Sequence, residues 1–186
     1  ERRRLQAHPL IDLHTHTTAS DGRCTPDELV DRARSVGVDV LGVTDHDTTA
    51  GLDEVEVACV RAGIAFVPGI EITSVAEDAD VHVLGYFIDR GSVDLGAFLT
   101  EQRRHRADRV RQMVARLQAV GIELDADTIL APAIADPTKA PGRPWVARAL
   151  VSAGHASDTN EAFARWLSRG RPAFVPRVGP APAEVF

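Results

Sequence analysis

The chain has 186 residues, 44% hydrophobic and 26% charged, a globular composition that excludes a disordered segment and suits one domain with a real core. A formal net charge of −6 excludes a general basic field for holding a DNA duplex by its phosphates and leaves room only for a local basic cluster. No apolar run approaches the roughly 20 residues that span a bilayer. The amino end ERRRLQAHP leads into no signal-peptide core, and Cys24 and Cys59 lie outside any CxxC spacing; a soluble, cytoplasmic protein with free thiols and no membrane partner is expected.

PLIDLH reads as a strand. TPDELVDRARSVG follows as a helix, opened by a capping box of Thr25 and Glu28 with Pro26 at the first helical position and closed by Gly37. VDVLGVTDH is a second strand, TTAGLDEVEVACVRAG a helix ending at Gly63, and IAFVPGIEIT and DVHVLGYFID are two further strands. Strands alternating with helices predict a parallel sheet, open or closed into a barrel, its largely apolar strands covered by helices. From residue 94 to 120, Phe98, Leu99, Val110, Met113, Val114, Leu117 and Val120 recur at helical spacing, predicting one long amphipathic helix ended by Gly121. A proline- and alanine-rich loop, APAIADPTKAPG, then leads to two helices, RPWVARALVSAG and NEAFARWLSRG. The chain starts at Glu1 rather than methionine and stops at Phe186 within APAEVF, which reads as the first turn of a helix, so a fragment is expected.

Chemistry concentrates in LIDLHTHTTASDG. Side chains two apart on a strand share a face, so His14 and His16 project together while Leu13 turns away. An HxH pair alone fits two solvated histidines as well as two metal ligands. Yet each later strand also ends in a candidate ligand: His46 after VDVLGVTD, Glu71 after AFVPGI and His82 within DVHVLGY, with Asp21 returning from the first loop. The carboxyl ends of parallel strands gather at one face, where ligands bind. Six imidazole and carboxylate donors exceed the needs of one four-coordinate ion and predict two or three ions of manganese, zinc or iron.

IDLHTHTTASDG, GVTDHDT, PGIEIT and HVLGYFID resemble successive motifs of the PHP family, the polymerase and histidinol phosphatase phosphoesterases. The resemblance implies a distorted (β/α)7 TIM-like barrel, residues 9–92 forming its amino-terminal part, 93–175 a helical insertion that caps the substrate, and 176–186 a return to the barrel. It implies three divalent ions, manganese first, held by His14, His16, Asp21, His46, Glu71 and His82. It further implies Asp21, His46 and Glu71 as the catalytic group, with Glu71 as a bridging carboxylate and a metal-held hydroxide attacking phosphorus. The family pattern has three further ligands, a histidine in an HP motif and a late Asp and His, which this sequence does not contain.

Arginines in the insertion suggest what is cleaved. Arg106 and Arg109 share a helix face, and Arg143 opens a helix directly after Gly142, where guanidinium and helix amino end favour phosphate. This arrangement resembles the branch of the family comprising 3′,5′-nucleoside bisphosphate phosphatases and 5′-3′ exoribonucleases. It implies a small nucleotide or short RNA as substrate, with Arg106, Arg109, Gly142, Arg143 and, more weakly, Arg171 as binding residues. Trp145 stands where relatives often carry histidine and is expected to pack within the helices. Arg103, Arg104, Arg111 and Arg116 are expected to be a solvated helix face, and His8, His105 and His155 to face solvent. Two other readings are a histidinol-phosphate-type phosphatase and a noncatalytic metal-binding module.

Overall fold

The computed structural model describes residues 8–77 and 79–185. The basic amino end over residues 1–7 and the final Phe186, which bear on the expectations about the termini, lie outside them.

Local signals place the first half of the chain. After strand β1 (Ile11–Thr15), helix α1 (Pro26–Val36) begins at a Thr25 and Glu28 capping box and ends at Gly37, whose φ of 85° suits a residue without Cβ. Strand β2 (Val40–Val43), helix α2 (Leu52–Ala62) closed by Gly63, strand β3 (Ala65–Ala76) and strand β4 (Ala79–Tyr86) follow. The sheet order is β1-β2-β3-β4. The first two pairings are parallel, but β3 and β4 run antiparallel. The expected alternation therefore fails at β4: Ala76 pairs with Ala79, and a two-residue connection returns a strand beside its neighbour but cannot cross over to a parallel one.

One apolar layer packs α1 and α2 on the sheet through Val30, Leu41, Val43, Leu52, Val55 and Cys59. The expectation of covered strands does not extend to β1, an edge strand that leaves Ile11 and Leu13 exposed.

Helix α3 (Val93–Gln118) starts at Ser92, whose hydroxyl accepts from the Leu95 amide, and Gly121 turns the chain beyond it at φ 82°. The loop expected over APAIADPTKAPG is partly helical, since helix α4 (Ala126–Ala135) runs through its first five residues. Asp125 caps α4 by accepting from the amides of Asp127 and Thr128, and Pro132 is tolerated near its end, where only one helical hydrogen bond is lost. Helix α5 (Arg143–Ser152) lies where expected. The next segment forms only a four-residue helix α6 (Thr159–Ala162), which widens into a π turn over Phe163–Leu167. The end, expected to begin a helix, makes a single 3₁₀ turn at Pro182–Glu184.

A second apolar core, built from Val110, Met113, Leu117, Leu130, Val146, Leu150 and Leu167, joins α3 to α6. Polar contacts latch these helices to the loops at the strand ends: Ala140 N–H to the Ala19 carbonyl at 2.9 Å, the Thr48 hydroxyl to the Thr138 carbonyl at 2.5 Å, and Trp145 Nε1–H to the Ser20 carbonyl at 2.9 Å. No helix among the described residues is long and apolar enough to cross a membrane.

Candidate metal centre and its flanking arginines

Glu71 is the hub. It lies on β3 with its side chain 2% exposed, and four imidazoles surround it. Its Oε2 is 2.9 Å from His14 Nε2, 3.1 Å from His16 Nε2 and 3.6 Å from His46 Nδ1, while Oε1 contacts His82 Nδ1. Asp21 closes the other side, its carboxylate oxygens 3.6 Å from His16 Nδ1 and 3.6 Å from His46 Nε2. The structure thus brings all six candidates into three overlapping groups: His14, His16 and Glu71; His16, Asp21 and His46; His46, Glu71 and His82.

These spacings suit cations. Two ligands about 2.1 Å from one ion at a tetrahedral angle lie about 3.4 Å apart, close to the separations here. His16 Nδ1 and His46 Nδ1 are buried and have no hydrogen-bond partner, an arrangement that a buried polar atom tolerates poorly without a ligand. Protonation follows the same logic. Burial holds the His46 pKa down at about 2, helped by the charge of Arg106, so its imidazole is neutral, the form that ligates. Burial also acts to lower His16, but its hydrogen bond to Glu71 and the charges of Asp21, Glu71 and Asp45 prevail and raise it. Burial would raise the Glu71 carboxyl, yet hydrogen bonds with His16 and His82 hold it well below the usual carboxylate range.

The ligand loops are held by residues that the sequence did not single out. Asp45 is buried and accepts from Thr17 N–H at 2.8 Å, the Thr17 hydroxyl at 2.6 Å and the Ser20 hydroxyl at 2.5 Å, shaping the loop that carries Asp21. Gly22 closes that loop against the backbone: a Cβ there would lie 2.3 Å from the His16 carbonyl oxygen. Asp47 adopts φ 50°, accepts from Thr73 N–H at 3.1 Å and pairs with Arg106 Nε at 2.6 Å. Two carboxylates flanking His46 in TDHDT are a legible signal, because buried acids need partners.

The arginines separate by role. Arg106 is buried, bonded also to the Thr73 hydroxyl at 3.0 Å and the Pro141 carbonyl at 3.4 Å. Arg109, buried, donates from Nε and Nη2 to the Val175 carbonyl. Arg143 and Arg177 both approach Asp80, at 3.7 and 3.3 Å, on the wall of a cavity of about 750 Å³ that Phe174 also lines. Arg177, missed in the sequence, is the more enclosed of the two, with side-chain exposures of 11% against 26%. Burial depresses Arg109 to about 9 and Arg177 to about 10, reinforced by neighbouring guanidinium charges, so this cluster is short of counter-charge. Asp80 and His82 are two apart on β4 and share a face, which sets the cavity beside the histidine cluster. Gly142 precedes α5 next to Arg106, and Arg171 is exposed and does not line this cavity.

Three expectations about exposure are corrected. Arg103 is not part of a solvated face: it is half-buried and donates to the Asp47 carbonyl at 3.3 Å, because α3 turns that face toward the strand ends. His105 and His155 are likewise half-buried, His105 against Glu101 at 3.0 Å. His8 is exposed, and Trp145 is buried among the helices, both as expected.

Comparison with known proteins agrees with this geometry. The chain is 40% identical over 164 residues to a 5′-3′ exoribonuclease of Haemophilus influenzae, covering 88% of this chain and 58% of that protein. It is 39% identical over 165 residues to a 3′,5′-nucleoside bisphosphate phosphatase of Chromobacterium violaceum, covering 89% and 57%. The chain therefore spans less than two thirds of the length of either relative. A crystal structure from Bifidobacterium adolescentis, provisionally named a metal-dependent phosphoesterase, superposes with a TM-score of 0.88 at 36% identity, covering 95% of this chain and 62% of that one. The PHP domain model matches residues 12–126, a span that contains all six clustered donors, and the chain belongs to the PHP domain family.

Proposed function

We propose that this chain carries the metal-binding and phosphate-binding parts of a phosphoesterase that hydrolyses a phosphomonoester of a small nucleotide, a 3′,5′-bisphosphate being the best fit. The four-stranded sheet is read as part of a distorted (β/α)7 barrel, with residues 9–92 as barrel, 93–175 as a helical cap and 176–186 as the return. The observation that carries the reading is the buried Glu71 carboxylate facing four imidazoles, with an arginine-lined cavity beside it.

His14, His16, Asp21, His46, Glu71 and His82 would hold up to three divalent ions, manganese first and zinc or iron by the same donor types. Such ions supply Lewis-acid polarisation of a phosphoryl oxygen and activation of water. Glu71 and Asp21 supply the negative charge that keeps the cations in place, and neutral His46 offers its lone pair without a proton to displace. Arg143 and Arg177, which share the single carboxylate of Asp80, grip the phosphate that is not cleaved; Glu77 also lines the cavity, and Arg109 adds its charge behind. Arg106 uses three of its five N–H donors within the protein and mainly braces the site. A second phosphate on the substrate answers this surplus of cations, which favours a nucleotide bisphosphate over the phosphate of an amino alcohol. Purified protein given manganese and adenosine 3′,5′-bisphosphate is expected to release inorganic phosphate. No release with manganese, zinc or iron overturns the proposal.

A further inference from the structure

The three donor groups of the metal centre are not built alike. Glu71, shared by two of them, lies on β3, paired with Leu84 of β4 on one side and bridged to His46 on the other, so the sheet fixes it. The third group, His16, Asp21 and His46, depends on Asp21, which lies in the turn after β1 and outside any strand. Among the described residues the Asp21 carboxylate is paired only with His16 and His46, 3.6 Å from each. Its place is therefore set by the backbone that carries it.

That backbone is held by the helical segment beyond β4. The carbonyls of three consecutive residues accept from it: Ala19 from Ala140 N–H at 2.9 Å, Ser20 from Trp145 Nε1–H at 2.9 Å and Asp21 from Arg148 Nη1 at 3.5 Å. Of the two side-chain bonds the indole's is the stronger, because it is short and buried, whereas the Arg148 contact is long and exposed. Trp145 is buried, yet it is not part of the apolar core that Val146, Ala147 and Leu150 of the same helix enter. Its one polar atom meets the Asp21 loop instead.

We propose that Trp145 is a positioning residue for Asp21 and thereby sets how tightly the ion shared by His16, Asp21 and His46 is held. The inference rests on the metal centre of the function proposed above. A metal–ligand bond tolerates a displacement of about 0.2 Å, so a larger relaxation of the loop releases Asp21 from that ion while the sheet keeps Glu71 in place. Such coupling is reciprocal: an ion that binds more tightly when the Ser20 carbonyl is held must itself hold that loop, and with it the bond from the Ala140 amide, more firmly.

The test is a calorimetric titration with manganese of wild type, Trp145→Phe, Asp21→Asn and the double substitution. Phenylalanine keeps a buried ring and removes the N–H donor. Trp145→Phe is expected to weaken one binding step at least about fivefold and to leave the others unchanged. Asp21→Asn is expected to remove that same step, and Trp145→Phe to have no further effect beside it. Trp166→Phe is the control, since the buried Trp166 indole nitrogen has no partner among the described residues, and is expected to bind manganese as wild type does. Equal binding by Trp145→Phe and wild type, a loss spread over every step, or a loss that persists beside Asp21→Asn overturns the inference alone. A second measurement needs only wild type, so it holds even if Trp145→Phe does not fold: hydrogen exchange of the Ala140 amide, followed by NMR, is expected to slow at least about fivefold when diamagnetic zinc saturates the protein. Unchanged exchange overturns the inference. Wild type that binds neither ion overturns the metal centre of the proposed function and the inference with it.

Discussion

Replacing Asp47 with alanine isolates the buried ion pair that ties α3 to the loop after His46 in the candidate metal centre. Asp47 and Arg106 have side-chain exposures of 2% and 9% and meet at 2.6 Å, so truncation leaves a guanidinium buried beside no carboxylate. Removing one partner of a buried pair costs about 3–5 kcal/mol. The Thr73 amide also loses its acceptor, and this overlaps with the first loss because Arg106 bonds the Thr73 hydroxyl. A total near 4 kcal/mol is therefore expected, a large part of the 5–15 kcal/mol that holds a typical domain. Urea denaturation should show a loss of unfolding free energy of that size, and thermal melting a fall in Tm of roughly 10 °C. Asp47→Ala combined with Arg106→Met should recover most of the loss, since no charge is then left unpaired. A cost for Asp47→Ala below about 1 kcal/mol, or a double substitution as costly as the two singles added, would refute the reasoning.

Four further outcomes follow from the geometry. Gly22→Ala forces a Cβ to 2.3 Å from the His16 carbonyl oxygen, so the loop bearing Asp21 must shift; manganese affinity measured by calorimetry should fall at least about tenfold, at a folding cost of about 1–3 kcal/mol. Manganese at a hundredfold its Kd should stabilise the wild type by about 2.7 kcal/mol, and Glu71→Gln should abolish that shift in thermal melting; an undiminished shift would place the ions elsewhere. Asp45→Ala removes the acceptor of Thr17 and Ser20, and should lower metal affinity more than Asp27→Ala, a surface change that serves as control. The Ser157 amide, followed by the Ser157 hydroxyl and Arg165, holds the Glu161 carboxyl down at about 2. Because the folded value lies below the unfolded one, its contribution is present above the ordinary carboxylate range and lost as pH falls toward 2. NMR titration should find this low value, and Arg165→Ala should raise it.

Signals carried by neighbours in the chain are legible in the sequence. Thr25 and Glu28 cap α1 because their groups are three residues apart, and Gly37 and Gly63 end helices because the left-handed turn disfavours a residue with a Cβ. Spacing on strands likewise sets His14 with His16 and draws Glu71, His46 and His82 to one end of the sheet. The antiparallel β4 is not legible from alternation alone, though the closeness in sequence of the paired Ala76 and Ala79 is its local cause. The helical start of APAIADPTKAPG is hidden behind Pro132, whose cost depends on how near the helix end lies.

What stays invisible depends on groups far apart in sequence. Arg106 reads as a phosphate ligand by its place on a helix face, and its pairing with Asp47, 59 residues away, is visible only in the folded chain. Arg177 enters the cavity only because the chain after α6 returns to Asp80, and Trp145 fixes the Asp21 loop across 125 residues. The sequence by itself determined the caps, the periodicity and which six imidazole and carboxylate side chains are candidates to meet, because these follow from the local geometry of helix and strand. Only the tertiary structure decided which charges are paired and buried, which arginines remain short of counter-charge and which cavity flanks α5, since those depend on where distant segments meet.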